Sequence, residues 1–145
     1  MSAPETVLAF DFGLKRIGIA SGDTLTRGAA PRPAALSAAA GPDWGAIARE
    51  VQALRPARLI VGAPYNADGS EGLMTAAARA FAAELERRFA LPVHLVDERF
   101  SSLEATAALK EQRASGTRRR RVRKADIDSA AAAVILKRFL AGEGN

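Results

Sequence analysis

The sequence contains no cysteine, which excludes a disulfide framework, a zinc–thiolate site and a cysteine nucleophile. His94 is the single histidine, and no serine lies in a Gly-x-Ser-x-Gly motif, so a Ser-His-Asp triad is disfavoured. No apolar run approaches the roughly 18 residues that a membrane span needs. The N-terminus also lacks the basic and hydrophobic stretches of a signal peptide. We therefore expect a soluble, cytoplasmic protein that does not associate with membranes.

Acidic residues are too few to balance the basic ones, and the imbalance is local. The chain has 145 residues, and we expect residues 1–145 to form a single domain with net charge +5. Residues 1–100 contain 11 Lys+Arg and 11 Asp+Glu, whereas residues 101–145 contain 10 and 5. The surplus lies in the basic segment, Lys110–Lys124, and its densest part is formed by Arg118, Arg119, Arg120, Arg121, Arg123 and Lys124. Such a cluster is typical of nucleic-acid binding, although a solvated loop has the same composition.

The pattern of apolar residues predicts an α/β protein. Two short apolar runs flank a glycine-containing segment and indicate an antiparallel hairpin, and later strands alternate with helices, which favours parallel pairing. We expect a mixed five-stranded sheet with helices on both faces. The predicted strands are 7–12, 17–20, 27–30, 58–62 and 93–97, and the predicted helices are 44–54, 73–89, 101–112 and 127–140. Asp43 is the expected N-cap of the first of these helices, and Pro56 is expected to stop it.

Three acidic residues lie at the ends of predicted elements. Asp11 ends the first strand, Glu98 follows the last strand, and Asp128 opens the final helix. Functional groups gather at the carboxyl ends of strands in open α/β sheets, so we expect the three to converge. A single acid in a strand is more often structural, but three carboxylates suit Mg²⁺ or Mn²⁺. Two such ions about 3.5–4 Å apart would support phosphodiester cleavage.

Four stretches of the chain resemble the YqgF (RuvX) family, whose members are known as pre-16S rRNA nucleases and, earlier, as Holliday junction resolvases. They are Leu8–Ala20, Ile60–Gly72, Val96–Ala105 and Arg123–Leu140, in the family's order and over nearly the whole chain. The resemblance implies an RNase H-like fold and metal-dependent nuclease chemistry. It also implies that Asp11, Glu98 and Asp128 form the acidic triad. Asp126 is a rival for the third place, but the family's Asp immediately precedes the Ala-rich helix, which favours Asp128.

Three basic residues flank the proposed acids. Lys15, Arg16 and Arg99 could hold the scissile strand, or they could neutralise the carboxylates through ion pairs, and the sequence leaves both roles open. The chain departs from the family pattern at Leu14 and Ser102, where the family usually has Thr.

Three functions are consistent with these features. The first is a metal-dependent endonuclease that matures the 5′ end of pre-16S rRNA, alone or in a pre-ribosomal particle. The second is resolution of four-way DNA junctions, which would require two active sites and therefore a dimer. The third is an RNA- or ribosome-binding module without catalysis. The sequence leaves the oligomeric state open.

Overall fold

A computed structural model describes residues 4–13, 15–38, 40–63, 72–97 and 124–142, and six strands and three helices lie within them. The sheet has the order β4-β3-β2-β1-β5-β6, so β1 lies near its centre. The expected number of strands, five, is wrong because β4 adds a sixth. The elements are β1 Thr6–Asp11, β2 Arg16–Asp23, β3 Ala29–Ala38, β4 Gly41–Pro42, α1 Trp44–Leu54, β5 Arg58–Ala63, α2 Leu73–Phe89, β6 Val93–Asp97 and α3 Lys124–Leu140.

Strand directions agree with the sequence pattern. β1 and β2 form the expected antiparallel hairpin, while β1, β5 and β6 run parallel to one another. α2 connects β5 to β6, which is the crossover that a parallel pair requires. The carboxyl ends of β1, β5 and β6 therefore lie at one edge of the sheet, which we call the acidic edge because β1 ends there at Asp11.

β3 and β4 are the elements that the sequence describes least well. The third strand was expected near 27–30, but β3 covers Ala29–Ala38 and includes Pro31 and Pro33. Proline has no backbone N–H to donate to a neighbouring strand. It is tolerated here because, among the described residues, only the two-residue β4 pairs with the outer side of β3. β4 is too short to produce an apolar pattern, so its position depends on pairing with β3 alone.

The sheet is covered on both faces, as expected. Strand residues of one parity, such as Phe10 and Ile19, pack with α1 and α2, and residues of the other parity, such as Ala9 and Ala20, pack with α3. This alternation follows from the two-residue period of a strand. Among the described helices, none is both long enough and apolar enough to cross a membrane.

Residues at the helix ends explain where α1 begins and where it stops. Asp43 is the expected N-cap of α1, and its carboxylate accepts a hydrogen bond from the Ala46 amide at 3.1 Å. α1 ends where Arg55 adopts a left-handed conformation before Pro56. α3 begins at Lys124, three residues earlier than expected, because the polar first turn contributes no apolar periodicity. The expected helix at 101–112 lies outside the described residues.

Candidate active site

Asp11 is held at the end of β1 by its aromatic neighbours. Phe10 and Phe12 both pack against Phe81 of α2, with ring centroids 5.7 and 5.0 Å apart. Side chains alternate along a strand, so Asp11 lies on the opposite face of the sheet, which is the face that α3 covers. The aromatic cluster therefore anchors β1 from one side while the carboxylate is presented on the other.

Gly18 brings the start of α3 next to Asp11. It pairs directly with Asp11 across the β1–β2 hairpin. A Cβ at Gly18 would lie only 2.0 Å from the carbonyl oxygen of Asp128 and 2.2 Å from its carbonyl carbon, so the helix backbone rests on the glycine. Opposed Cα atoms in antiparallel strands are about 4.5–5.5 Å apart, which places the Asp128 carbonyl carbon no more than about 9 Å from the Asp11 Cα. The backbones of two of the three proposed acids therefore lie within about 9 Å of each other at the acidic edge.

Arg16 forms an ion pair with Asp128. Its Nε donates to Asp128 Oδ2 at 2.8 Å, and the two side chains are 29% and 28% exposed. The cation lowers the electrostatic cost of holding two carboxylates on one face of the sheet. Of the two roles that the sequence left open for Arg16, the structure therefore shows the neutralising ion pair.

Ser129 belongs to this site, although the sequence did not single it out. It is 4% exposed, and its Oγ donates to the Arg32 carbonyl oxygen at 2.7 Å and accepts from the Ile19 amide at 3.4 Å. One serine next to an acid carries no motif, and both of its partners are backbone groups more than 95 residues away. No sequence signal could have identified this contact.

The remaining basic candidates divide between described and undescribed parts of the chain. Lys15 is exposed in the turn before Arg16, and its carbonyl oxygen accepts from the Ser37 amide at 2.9 Å. Lys124 starts α3 one turn before Asp128, about 6 Å along the helix axis at 1.5 Å per residue. Lys124, the last residue of the basic segment, is thus the first residue of α3. The other proposed residues of the basic segment, Arg118, Arg119, Arg120, Arg121 and Arg123, lie outside the described residues.

Glu98 and Arg99 also lie outside the described residues. Glu98 follows Asp97, which ends β6 and pairs with Ala63 at the end of β5. β6 therefore ends at the acidic edge, and the contribution of Glu98 to the site stays a prediction.

The donor atoms at the acidic edge suit a hard cation. Asp11 and Asp128 supply carboxylate oxygens, the ligands that Mg²⁺ and Mn²⁺ prefer. Within residues 4–13, 15–38, 40–63, 72–97 and 124–142, His, Asp and Glu form no group of three or more that could hold a metal ion. A three-carboxylate site would thus need a ligand from elsewhere in the chain, and Glu98 is the residue that the sequence nominates.

Comparisons with solved structures define the fold. RuvC of Thermus thermophilus in complex with a Holliday junction substrate has a TM-score of 0.55 and 14% identity, over 97% of this chain and 98% of that chain. The yeast mitochondrial Holliday junction resolvase Ydc2 has a TM-score of 0.53 and 10% identity, over 94% and 78%. These similarities confirm the expected RNase H-like fold.

Sequence comparisons relate the chain to a family and to named relatives. Residues 5–142 match the RuvX family, described as "Holliday junction resolvase". Relatives named "Putative pre-16S rRNA nuclease" include one from Legionella pneumophila, 47% identical over 92% of this chain and 93% of its own, and one from Escherichia coli O157:H7, 44% identical over 92% and 94%.

The fold, the family match and the names of the relatives together define the class of protein, a nuclease of the RNase H-like type. The match over nearly the whole chain then makes the family assignment direct. The chain belongs to the RuvX family, which confirms the resemblance drawn from its four sequence stretches.

Proposed function

We propose that this protein is a divalent-metal-dependent endonuclease of the cytoplasm that hydrolyses phosphodiester bonds at the 5′ end of pre-16S rRNA. The observation that carries the proposal is the close approach of the Asp128 backbone to Gly18, the ladder partner of Asp11, at the acidic edge. Close relatives named for pre-16S rRNA support the choice of substrate.

The proposed metal ligands are Asp11, Asp128 and Glu98. Divalent ions bound there would activate a water molecule and stabilise the leaving oxygen of the phosphodiester. Asp128 is preferred to Asp126 as the third acid because its backbone rests on Gly18. Asp11 and Asp128 come from different elements, so their separation is set by the packing of α3 on β2.

The basic residues are assigned to the nucleic-acid backbone. Lys15 is exposed beside the acidic edge, and the basic segment enters α3 at Lys124. We assign Arg99 and the arginines of the basic segment to the same role. Contacts of this kind fix the position of the substrate and weaken as salt rises, because binding releases condensed counterions. Arg16 keeps Asp128 oriented in the absence of substrate.

The test uses three matched Asp-to-Asn variants. Asp11→Asn and Asp128→Asn each remove one proposed ligand charge, while Asp23→Asn changes a carboxylate at the other end of the sheet, where Asp23 pairs with Thr6. Labelled pre-16S rRNA fragments are incubated with Mg²⁺, Mn²⁺ or EDTA. We expect cleavage by the wild type and by Asp23→Asn, but not by the other two variants, while binding of RNA survives in all four proteins. Undiminished cleavage by Asp11→Asn would refute the assignment.

A second candidate function is resolution of four-way DNA junctions, which the family description favours. A labelled four-way junction in the same assay separates the two substrates. Symmetric cutting needs two active sites, so a protein that is strictly monomeric by light scattering with junction present would count against this function. Salt-dependent RNA binding without cleavage of either substrate would instead favour the non-catalytic binding module.

A further inference from the structure

The ladder between β2 and β3 is irregular where α3 begins. Arg16 and Ile17 pair with Leu36 and Ala35, but the next pair along is Ile19 with Arg32. Two residues of β3 therefore oppose one residue of β2, which is the arrangement of a β-bulge. The one residue is Gly18, the glycine on which Asp128 rests.

A side chain of α3 bridges the two strands beside this bulge. Ser129 Oγ donates to the Arg32 carbonyl oxygen at 2.7 Å and accepts from the Ile19 amide at 3.4 Å, and Ile19 and Arg32 are ladder partners. The hydroxyl thus bonds to one group on each strand. A buried hydroxyl is costly unless it is paired, and this one is paired both as donor and as acceptor.

The strand that receives this bond is itself held from the other face of the sheet. The Arg32 guanidinium forms a two-point ion pair with Glu50 of α1, Nε to Oε1 at 2.6 Å and Nη2 to Oε2 at 3.2 Å. Arg32 therefore links α1 through its side chain and α3 through its carbonyl. Such two-point pairs fix orientation as well as distance.

We propose that Ser129 is a positioning residue for Asp128. Gly18 sets how closely α3 approaches the sheet, and the Ser129 hydroxyl sets where its first turn lies along β2 and β3. Asp128 is the adjacent residue, so its distance from Asp11 depends on both contacts. The inference rests on the proposed function, in which Asp11 and Asp128 share a metal site.

The test compares Ser129→Ala with Ser129→Thr, which keeps the hydroxyl, and with Ile135→Val, which removes one methyl group from the buried part of α3. Removing a group that orients a metal ligand typically costs about 10- to 100-fold in activity or metal affinity. We expect Ser129→Ala to lose kcat in this range with KM for RNA unchanged, and to bind Mn²⁺ correspondingly more weakly by electron paramagnetic resonance. In kcat and in Mn²⁺ affinity, Ser129→Thr should lie closer to the wild type than Ser129→Ala does. Ile135→Val should keep wild-type kcat and Mn²⁺ binding despite a lower Tm.

The outcomes separate this inference from the proposed function. If the wild type cleaves RNA and Ser129→Ala has the same kcat and Mn²⁺ affinity, the inference is wrong and the function stands. If Ile135→Val loses as much kcat and Mn²⁺ affinity as Ser129→Ala, the losses come from reduced stability, and the inference is again wrong. If the wild type neither cleaves RNA nor binds Mn²⁺, both fail.

Discussion

Of the glycines whose surroundings the structure describes, Gly18 is the one at which an added methyl group would make the shortest contact. The Cβ of Gly18→Ala would lie 2.0 Å from the Asp128 carbonyl oxygen and 2.8 Å from the Ser129 amide nitrogen, both of them backbone atoms that cannot rotate away. Real Cβ contacts essentially never fall below 3.0 Å, so the start of α3 must move away from β2 by about 1 Å. The substitution therefore acts directly on the distance between Asp11 and Asp128.

The expected loss of stability has two parts. Overpacking a tight interface costs about 1–3 kcal/mol. Lifting α3 also stretches the two Ser129 hydrogen bonds, and leaving buried polar groups unsatisfied costs about another 1–3 kcal/mol. We expect the free energy of unfolding of Gly18→Ala to fall by about 2–6 kcal/mol in urea titrations. Misplacing a reacting group by about 1 Å costs on the order of 100-fold in rate, so kcat should fall by that factor in the remaining folded protein.

Two other Gly-to-Ala variants serve as controls. At Gly22 a Cβ would lie 2.3 Å from the Gly28 carbonyl oxygen and 3.0 Å from Leu136 Cδ2, near the other end of α3. Gly22→Ala should therefore lose stability but keep kcat. At Gly45 in α1 the nearest atom would be at an ordinary 3.4 Å, and Ala in place of a helical Gly should stabilise by about 0.5–1 kcal/mol. If Gly18→Ala unfolds like the wild type and retains its kcat, α3 does not rest on β2 as described.

Three further predictions concern charged groups. Arg16→Gln should lower the Mg²⁺ concentration needed for half-maximal cleavage, because the arginine competes with a cation for Asp128; a higher requirement would contradict this. Hydrogen bonds from Arg87 and Arg88 lower the pKa of Glu84 to about 2 from the ordinary 4.5. Because folding lowers the pKa of Glu84, its ion pairs stabilise the fold at pH values above the pKa of the unfolded chain, and this stabilisation is lost as the carboxylate is protonated. The Tm difference between wild type and Glu84→Gln should therefore close as the pH falls from about 4.5 to 2. A difference that stays constant over this range would argue against the ion pairs. Asp43→Ala should reduce the free energy of unfolding by about 0.5–2 kcal/mol in urea through loss of the α1 cap, whereas Asp43→Asn should not.

Local patterns in the sequence were sufficient for most of the elements. α2 was expected at 73–89 and is observed there, and Asp43 caps α1 as its position before an apolar helix predicts. The patterns failed where pairing rather than periodicity decides the structure. β3 tolerates Pro31 and Pro33 because one of its sides is nearly uncovered, and β4 exists only through its contact with β3.

The candidate site also has features that the sequence predicts and features that depend on tertiary contacts. The sequence alone nominated Asp11, Glu98 and Asp128 as site residues, because strand ends and a helix start are readable from apolar periodicity and because the chain resembles the RuvX family. It also located the surplus of positive charge. It could not assign Arg16 to an ion pair rather than to substrate, since the distance to Asp128 depends on two elements that are far apart in the chain.

By itself, the sequence predicted the RuvX family and the α/β class, which are both confirmed, and it nominated Asp11, Glu98 and Asp128 as the acids of the site. Only the tertiary structure decided how α3 meets the sheet. That contact joins residues more than 95 positions apart, and it needs a glycine without a side chain on β2 and a serine hydroxyl that bonds to two strands. Neither requirement produces a periodic pattern, because each is set by the close approach of backbone atoms from distant parts of the chain.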